Sequence, residues 1–167
     1  MVSFRKANLD DIPELRKIAS TAFKYHRYWV DTKLPKDKIE SIYSKDLDDL
    51  VSAAFQNPGE NEFIVAVDND QIVGYIALKT NPTLLSTFGF GWGAIASFAL
   101  REDKRQKGLG PKVVEEATKW FRSKGVSKVD VWTDVGNVGA IQCYEKCGFR
   151  TIYNGVAMSL DLNERSK

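Results

Sequence analysis

The chain has 167 residues, of which 43% are hydrophobic and 28% are charged. These values are typical of one globular domain, and we predict a single domain over residues 1–167. With 24 basic and 22 acidic residues, the formal net charge is only +2, which argues against a nucleic-acid partner. No apolar signal region or membrane-spanning stretch is found, so we expect no membrane partner and a cytoplasmic location.

In chain order, the first half of the sequence alternates short strands with two helices. A polar cap at Asn8 or Asp10 precedes apolar residues at helical spacing that end at Phe23, and Pro13 suits the first turn. An aromatic loop at residues 25–35 leads to the second helix. The other elements predicted here are a strand at residues 2–6, a helix at residues 36–56, and a hairpin of strands at residues 63–67 and 71–79.

The second half of the sequence predicts strands that alternate with helices. Gly125 and Gly148 mark the ends of the two helices, since glycine is favoured just after a helix. The predicted elements are strands at residues 88–100, 128–133 and 149–160, and helices at residues 108–124 and 138–146. A run of antiparallel strands followed by β-α-β-α-β predicts an α/β (α+β) fold with crossover helices packed on a mixed sheet.

A basic, glycine-containing turn joins the long strand to the helix that follows it. A helix start leaves N–H groups without partners, and glycine lets the backbone approach a ligand, so this turn predicts a pyrophosphate site. Arg105 and Lys107 add charge for phosphate oxygens. A P-loop is excluded because Pro111 follows Gly110, and the Rossmann glycine pattern is absent. The alternative is an ordinary connection with solvated charges.

A second motif, at residues 137–149, places a tyrosine on a short helix that ends at a Gly-Phe pair. Together the two motifs resemble those of the GNAT acetyltransferase superfamily. The phosphate turn of that family, Arg/Gln-x-x-Gly-x-Gly/Ala, is matched by Arg105, Gly108 and Gly110. Its second motif, Asn-x-x-Ala-x-x-x-Tyr-x-x-x-Gly-Phe, is matched by Asn137, Ala140, Tyr144, Gly148 and Phe149.

The resemblance implies a single-domain GNAT-like fold and an N-acetyltransferase that uses acetyl-CoA as cosubstrate. The implied sheet is mixed, mostly antiparallel, of about six to seven strands flanked by about four helices. The cofactor-binding residues implied in the strand, the turn and the second motif are Ser97, Phe98, Ala99, Arg105, Gln106, Lys107, Gly108, Leu109, Gly110 and Asn137. Pro111 has no backbone N–H, so the turn lacks one of the possible hydrogen-bond donors to the phosphate.

The implied reaction is direct attack of a neutral primary amine on the acetyl carbonyl. Tyr144 is the implied general acid for the leaving thiolate, because a tyrosine hydroxyl has a reference pKa of about 10, close to that of a thiol. A packed aromatic residue is the alternative role for Tyr144. The general base stays open between His26, the only histidine, and a chain of water molecules. We expect no metal site.

The amine-bearing acceptor is expected at residues 26–35, with Trp29 and Tyr43 nearby. This region is loosely similar to N-acetyltransferases that act on nucleotide-linked amino sugars. A protein amine, or a polyamine or antibiotic, is an alternative acceptor, and a cationic acceptor would favour the acidic residues Asp46, Asp48 and Asp49.

Two further alternatives concern the role and the assembly of the chain. A CoA-binding sensor or interaction module without catalysis would keep the phosphate turn but lose the chemistry. The resemblance also makes a homodimer through the last strands compatible with the sequence. Apolar residues there are Val156, Met158 and Leu160, and their burial within the monomer explains them equally well.

Overall fold

The computed structural model describes residues 1–22, 34–156 and 158. The strands within these residues are β1 (Ser3–Lys6), β2 (Asn61–Asp68), β3 (Gln71–Thr80), β4 (Gly91–Leu100) and β5 (Val126–Val131). The helices are α1 (Ile12–Ala22), α2 (Lys36–Gln56), α3 (Pro82–Phe88), α4 (Leu109–Ser123) and α5 (Val138–Lys146). None of these helices combines the length and the apolar character that crossing a bilayer requires.

The five strands form one mixed sheet in the order β1-β2-β3-β4-β5. The first four strands pair antiparallel, and β5 pairs parallel with β4 after the α4 crossover. The predicted α/β class and mostly antiparallel sheet are therefore confirmed. Within the described ranges the sheet has five strands instead of the predicted six to seven, and five helices replace the predicted four.

Helices cover both faces of the sheet. On one face, α1 and α2 pack over a core that includes Leu15, Leu47 and Phe63. On the other face, α4 and α5 pack over a core that includes Val113 and Phe121. The central strand β3 is buried over residues 72–78, as expected for a strand covered on both sides.

The N-terminal cap lies at Asn8, one of the two predicted positions. Asn8 and Asp11 form a reciprocal capping box, in which each side chain accepts a hydrogen bond from the backbone N–H of the other. Arg5 of β1 donates two hydrogen bonds, of 2.7 and 2.8 Å, to the buried carboxylate of Asp11. This ion pair joins the first strand to the start of α1.

The observed and the predicted elements differ at two places. Helix α3 is absent from the prediction: Asn81 caps it through a hydrogen bond from the Leu84 N–H, and Pro82 occupies its first turn. Both residues are helix-start signals, but they are equally typical of a loop before a strand. The last predicted strand, at residues 149–160, is wrong in its described part, because residues 149–156 contain no strand and are largely exposed.

Candidate active site

Strands β4 and β5 separate toward one end of the sheet. Their parallel pairing runs from Gly91 and Val126 to Ile95 and Val131, where β5 ends, while β4 continues to Leu100. The edge of β4 that faces away from β3 therefore has no strand partner over its second half among the described residues. Unpaired N–H and C=O groups of a strand edge suit an extended ligand that carries amides.

A pocket of about 330 Å³ lies where the two strands separate, which is within the range of small-ligand sites. It is lined from both sides of the sheet. The side covered by α1 and α2 contributes Ala22, Tyr43, Asp46, Leu47, Leu50 and Tyr75. The side covered by α4 and α5, together with the end of β5, contributes Ile95, Phe98, Val131, Asn137, Ala140 and Tyr144.

An extra residue in β4 turns Ser97 toward the side covered by α1 and α2. Ile95 and Ser97 lie opposite consecutive residues of β3, so Ala96 between them is a bulge. In a regular strand, residues two apart share a face. Ile95 packs with the α4–α5 core, but the Ser97 hydroxyl lies 3.3 Å from the hydroxyl of Tyr75, which belongs to the α1–α2 core.

The other two predicted cofactor residues of β4 have different surroundings. Phe98 lines the pocket, and its ring lies 6.2 Å from the ring of Tyr144. Ala99 is buried in the core under α1 and α2 and does not line the pocket. Because side chains alternate along a strand, Ser97 and Phe98 lie on opposite walls of the same pocket.

The predicted phosphate turn contains two residues with a left-handed backbone. Gln106 and Gly108 both have positive φ values, 58° and 75°, and α4 begins directly afterwards at Leu109. No side chain caps the helix at Gly108, where a Cβ would meet nothing within 4 Å. Free N–H groups at a helix start, with open space in front of them, suit a pyrophosphate.

Gly110 fixes the contact between the turn and α5. A Cβ on this residue would lie 2.7 Å from the Cys143 Sγ and 3.8 Å from the Phe98 ring. Only glycine lets the first turn of α4 approach α5 this closely. The second glycine of the motif therefore serves packing between two helices, and it connects the turn to the wall of the pocket.

The cations of the turn have different partners. Arg105 donates hydrogen bonds to the backbone carbonyls of Leu100, at 2.9 Å, and Thr21, at 3.5 Å. Its guanidinium therefore holds the turn against β4 and α1. Lys104 forms a 2.8 Å ion pair with Asp68 in the β2–β3 hairpin. Lys107 is exposed and makes no ion pair within the described ranges.

Asn137 and Tyr144 bring α5 into the pocket. Asn137 is the cap of the helix, and its side-chain oxygen accepts a hydrogen bond from the Ala140 N–H. Tyr144 is buried between Phe98 and Phe149, with its ring 5.5 Å from that of Phe149. Burial raises the pKa of the Tyr144 hydroxyl, so the phenol keeps its proton at neutral pH and is available as a donor.

The two cysteines support α5 from the side of α4. Burial raises the pKa of the Cys143 thiol to about 11, so this thiol stays protonated and unreactive at neutral pH. Cys147 contacts the Pro111 carbonyl at 3.9 Å. Both cysteines are free thiols.

The structure describes only part of the predicted acceptor side. His26 and Trp29 lie outside the described residues, while Tyr43 of α2 lines the pocket. Of the acidic residues in α2, Asp48 pairs with Arg16 and Asp49 with Lys45, whereas Asp46 lines the pocket.

Sequence reasoning missed several pocket residues. Tyr75 gives no signal, because a tyrosine in a central strand is typical of a core residue. The residues that directly follow β5 are Trp132, Thr133 and Asp134. Their position at the end of a parallel strand, where ligands often bind, is the signal that was available.

Comparison with known proteins agrees with this geometry. The chain is 28% identical over 125 residues to N-alpha-acetyltransferase 30 of Schizosaccharomyces pombe, covering 74% of this chain and 79% of that protein. It is 25% identical over 138 residues to dTDP-fucosamine acetyltransferase of Escherichia coli, covering 83% of this chain and 54% of that protein. The chain spans about half the length of some of the curated relatives it matches.

Solved structures and family models give the same result. The fold is similar to that of PaiA N-acetyltransferase from Thermoplasma acidophilum in complex with coenzyme A, with a TM-score of 0.73, 19% identity and 90% of each chain covered. The model of the acetyltransferase (GNAT) family matches residues 15–149, which is most of the chain. The chain therefore belongs to the GNAT family of acetyltransferases.

Proposed function

We propose that this chain transfers the acetyl group of acetyl-CoA to a primary amine of a small molecule. The observation that carries the proposal is the pocket between β4 and β5, which is lined from both faces of the sheet. Tyr144 stands on the face that also bears the phosphate turn, and α2 covers the other face. A donor and an acceptor can therefore approach one reaction centre from opposite sides.

The residues present fit acetyl-CoA as cosubstrate. We assign its pyrophosphate to the backbone of Arg105, Gln106, Lys107, Gly108, Leu109 and Gly110, where Gln106 and Gly108 have positive φ values and a Cβ on Gly108 would meet nothing within 4 Å. The amide-bearing arm would lie along the free edge of β4 near Ser97 and Phe98, with Asn137 on the same wall of the pocket as Phe98. Because Ala99 is buried, any contact it makes is through its backbone.

The chemistry assigns one role to each side of the pocket. The amine nitrogen forms a bond to the acetyl carbon, and the carbon–sulfur bond breaks with its electron pair going to sulfur. Tyr144 gives its proton to the sulfur and regains one from solvent, which receives the proton lost by the nitrogen. A backbone N–H of the β4 edge is the simplest donor to the oxyanion. The transfer therefore needs no other reactant.

A small acceptor is favoured by the size and lining of the pocket. The wall from α2 consists of Tyr43, Leu47 and Leu50 with one carboxylate, Asp46. Such a wall combines apolar contact with a single charge and suits a compact amine. The relatives include N-alpha-acetyltransferase 30 and dTDP-fucosamine acetyltransferase, so an α-amino group and an amino sugar both belong in the test.

Calorimetry with acetyl-CoA tests the cosubstrate site. Gly108→Asp places a carboxylate where the pyrophosphate is expected, and Gly108→Asn is the matched control, because both residues tolerate the left-handed backbone and only one is charged. We expect micromolar binding by the wild type, a loss of at least tenfold in the aspartate variant and a smaller loss in the asparagine variant. Equal affinities in both variants would refute the placement.

Thiol release with a panel of amines tests the transfer itself. The panel contains spermidine, glucosamine and a tetrapeptide with a free α-amino group, each with acetyl-CoA and the protein. We expect acetylation of at least one small amine at a higher kcat/KM than the peptide. Acetyl-CoA binding without any acetylation would instead support a CoA-binding module without catalysis.

A further inference from the structure

The hydroxyl pair of Tyr75 and Ser97 is not used by the chemistry described above. Tyr75 is fully buried in β3, and its ring stacks on Phe63 with centroids 5.1 Å apart. Its hydroxyl lies 3.3 Å from the Ser97 hydroxyl, and both residues line the pocket. The pair stands on the wall shared with α2, opposite Tyr144.

Either hydroxyl of the pair can be the donor of this hydrogen bond. Burial raises the pKa of Tyr75, so its phenol keeps a proton to donate. A phenol that donates to the Ser97 oxygen leaves the serine with one lone pair and with its own hydrogen. Stacking on Phe63 holds the Tyr75 phenol in this position. The Tyr75 hydroxyl can therefore orient the Ser97 hydroxyl from the buried side of the pocket.

The bulge at Ala96 is what brings Ser97 to this wall. Without the extra residue, Ser97 would share a face with Ile95 and point toward α4 and α5. Bulges of this kind re-aim side chains next to functional sites. In this chain the re-aimed side chain is that of Ser97, which lies on the wall of the pocket that α2 also lines.

We propose that Ser97 binds the acceptor amine and that Tyr75 is the positioning residue that orients the Ser97 hydroxyl. The Ser97 oxygen accepts a hydrogen bond from one N–H of the neutral amine, which directs the nitrogen lone pair toward the acetyl carbon. No bond of Ser97 or Tyr75 forms or breaks, and the proton balance of the transfer is unchanged. This inference rests on the proposed acetyl transfer and adds the residue that orients the acceptor.

The test compares Ser97→Ala, Ser97→Thr and Tyr75→Phe with the wild type, using the amine of the panel that reacts fastest. We expect kcat/KM for the amine to fall about tenfold in Ser97→Ala, the typical effect of one lost hydrogen bond, and severalfold in Tyr75→Phe. Ser97→Thr, which keeps the hydroxyl, should retain most of the activity. The acetyl-CoA dissociation constant should stay within twofold of the wild-type value in all three variants.

A double variant tests whether Tyr75 acts only by positioning Ser97 or has an effect of its own. Because Tyr75 acts through Ser97, adding Tyr75→Phe to Ser97→Ala should cause no further loss of kcat/KM. Ser123→Ala, which removes a serine hydroxyl at the end of α4, is the control and should have no effect.

Each other outcome overturns a different claim. Wild-type rates in Ser97→Ala, additive losses in the double variant, or a matching loss of acetyl-CoA affinity would overturn the role of the pair. Absence of acetylation in the wild type with every panel amine would overturn the proposed function and this inference with it. Melting temperatures measured on each variant identify any loss that comes from unfolding.

Discussion

Tyr144 has its protonation state set by its surroundings. Its side chain is 7% exposed and packs between two phenylalanine rings. Burial, and to a lesser extent the neighbouring thiols Cys143 and Cys147, raises the pKa of its hydroxyl. A phenol of this kind is a weaker acid than a free tyrosine, but it keeps its proton at neutral pH and can donate it as a hydrogen bond to the departing thiolate.

Replacement of Tyr144 by phenylalanine isolates this hydroxyl. We expect kcat to fall by about tenfold to a hundredfold, because the thiolate loses its proton donor while the packing of the ring is kept. The acetyl-CoA affinity measured by calorimetry should change by less than twofold. Tyr153→Phe removes an exposed hydroxyl and should leave kcat unchanged. Unchanged turnover in Tyr144→Phe would remove the general-acid assignment.

The raised pKa of Tyr144 also predicts the pH profile. An unshifted tyrosine, with a pKa of about 10, loses half of its protons by pH 10. With its pKa raised, Tyr144 stays protonated over this range, so kcat at saturating substrates should not decline between pH 8 and pH 10. A decline with a midpoint below pH 10 in the wild type that is absent in Tyr144→Phe would contradict the environment described here.

At the scale of elements, the contact between α4 and α5 depends on Gly110. The missing side chain lets the first turn of α4 lie directly against Cys143. Gly110→Ala should lower the free energy of unfolding by about 1–3 kcal/mol, the usual cost of overpacking, and should weaken acetyl-CoA binding because the turn is displaced. Chemical denaturation and calorimetry measure the two effects.

Two controls distinguish this clash from a general effect of alanine. Gly139 lies in α5, and a Cβ added to it would meet nothing within 4 Å, so Gly139→Ala should be neutral or slightly stabilising. Adding Cys143→Ala to Gly110→Ala removes the sulfur atom in the way and should restore part of the binding. A destabilised Gly139→Ala with an unaffected Gly110→Ala would show that the helices are not in the contact described.

The junction of β1 and α1 depends on the Arg5–Asp11 pair. The Asp11 side chain is 7% exposed, so Asp11→Asn should lower the free energy of unfolding by about 2 kcal/mol. Asp48→Asn, which breaks the more exposed pair with Arg16, should lower the free energy of unfolding by clearly less, because exposed ion pairs contribute little. Equal losses of unfolding free energy in the two variants would contradict the claim that the buried pair stabilises the fold more than the exposed pair.

The same pair predicts a dependence of stability on pH. Hydrogen bonding from Arg5 lowers the pKa of Asp11 below its ordinary value of 3.8. The stabilisation is therefore complete above about pH 4 and is lost as the pH falls through the lower folded-state pKa. Denaturation curves between pH 2 and pH 6 should show a smaller acid-induced loss in Asp11→Asn than in the wild type.

At the scale of the whole molecule, sequence periodicity predicted most elements because their burial is regular. The amphipathic helices α1, α2 and α4 and the hairpin of β2 and β3 lie close to their predicted places. Helix α3 was not predicted because it has no buried residue, so its sequence shows no apolar stripe. The pattern after residue 149 alternates like a strand, but alternation alone does not supply a partner to pair with.

The parts of the candidate site that lie within one continuous motif could be predicted from the sequence. The parts that folding brings together from distant segments could not. The turn around Gly108 and the helix of Tyr144 are each continuous in sequence. The Tyr75–Ser97 pair depends on a one-residue bulge and on the register of two strands, which a single sequence does not reveal. The division of labour within the turn, in which Arg105 supports the backbone, depends in the same way on how distant segments pack.

The exposed apolar residues near the C-terminus lead to a prediction about assembly. Ile152, Tyr153, Val156 and Met158 are all strongly exposed, and apolar surfaces of this kind often mark contacts between proteins. We expect a homodimer in sedimentation equilibrium at micromolar concentration, and Val156→Asp should shift it toward the monomer. A monomer at all concentrations in the wild type would exclude this role.

The pocket between β4 and β5 draws its two walls from separate packing units of the fold. Residues of α2 and β3 form one wall, and residues of α5 with the end of β5 form the other. With the two substrates placed as proposed, inherited changes in α2 would alter which amine is accepted without disturbing the site for the acetyl donor. Gene duplication followed by drift in one helix is then a short evolutionary route from one substrate to another on this scaffold.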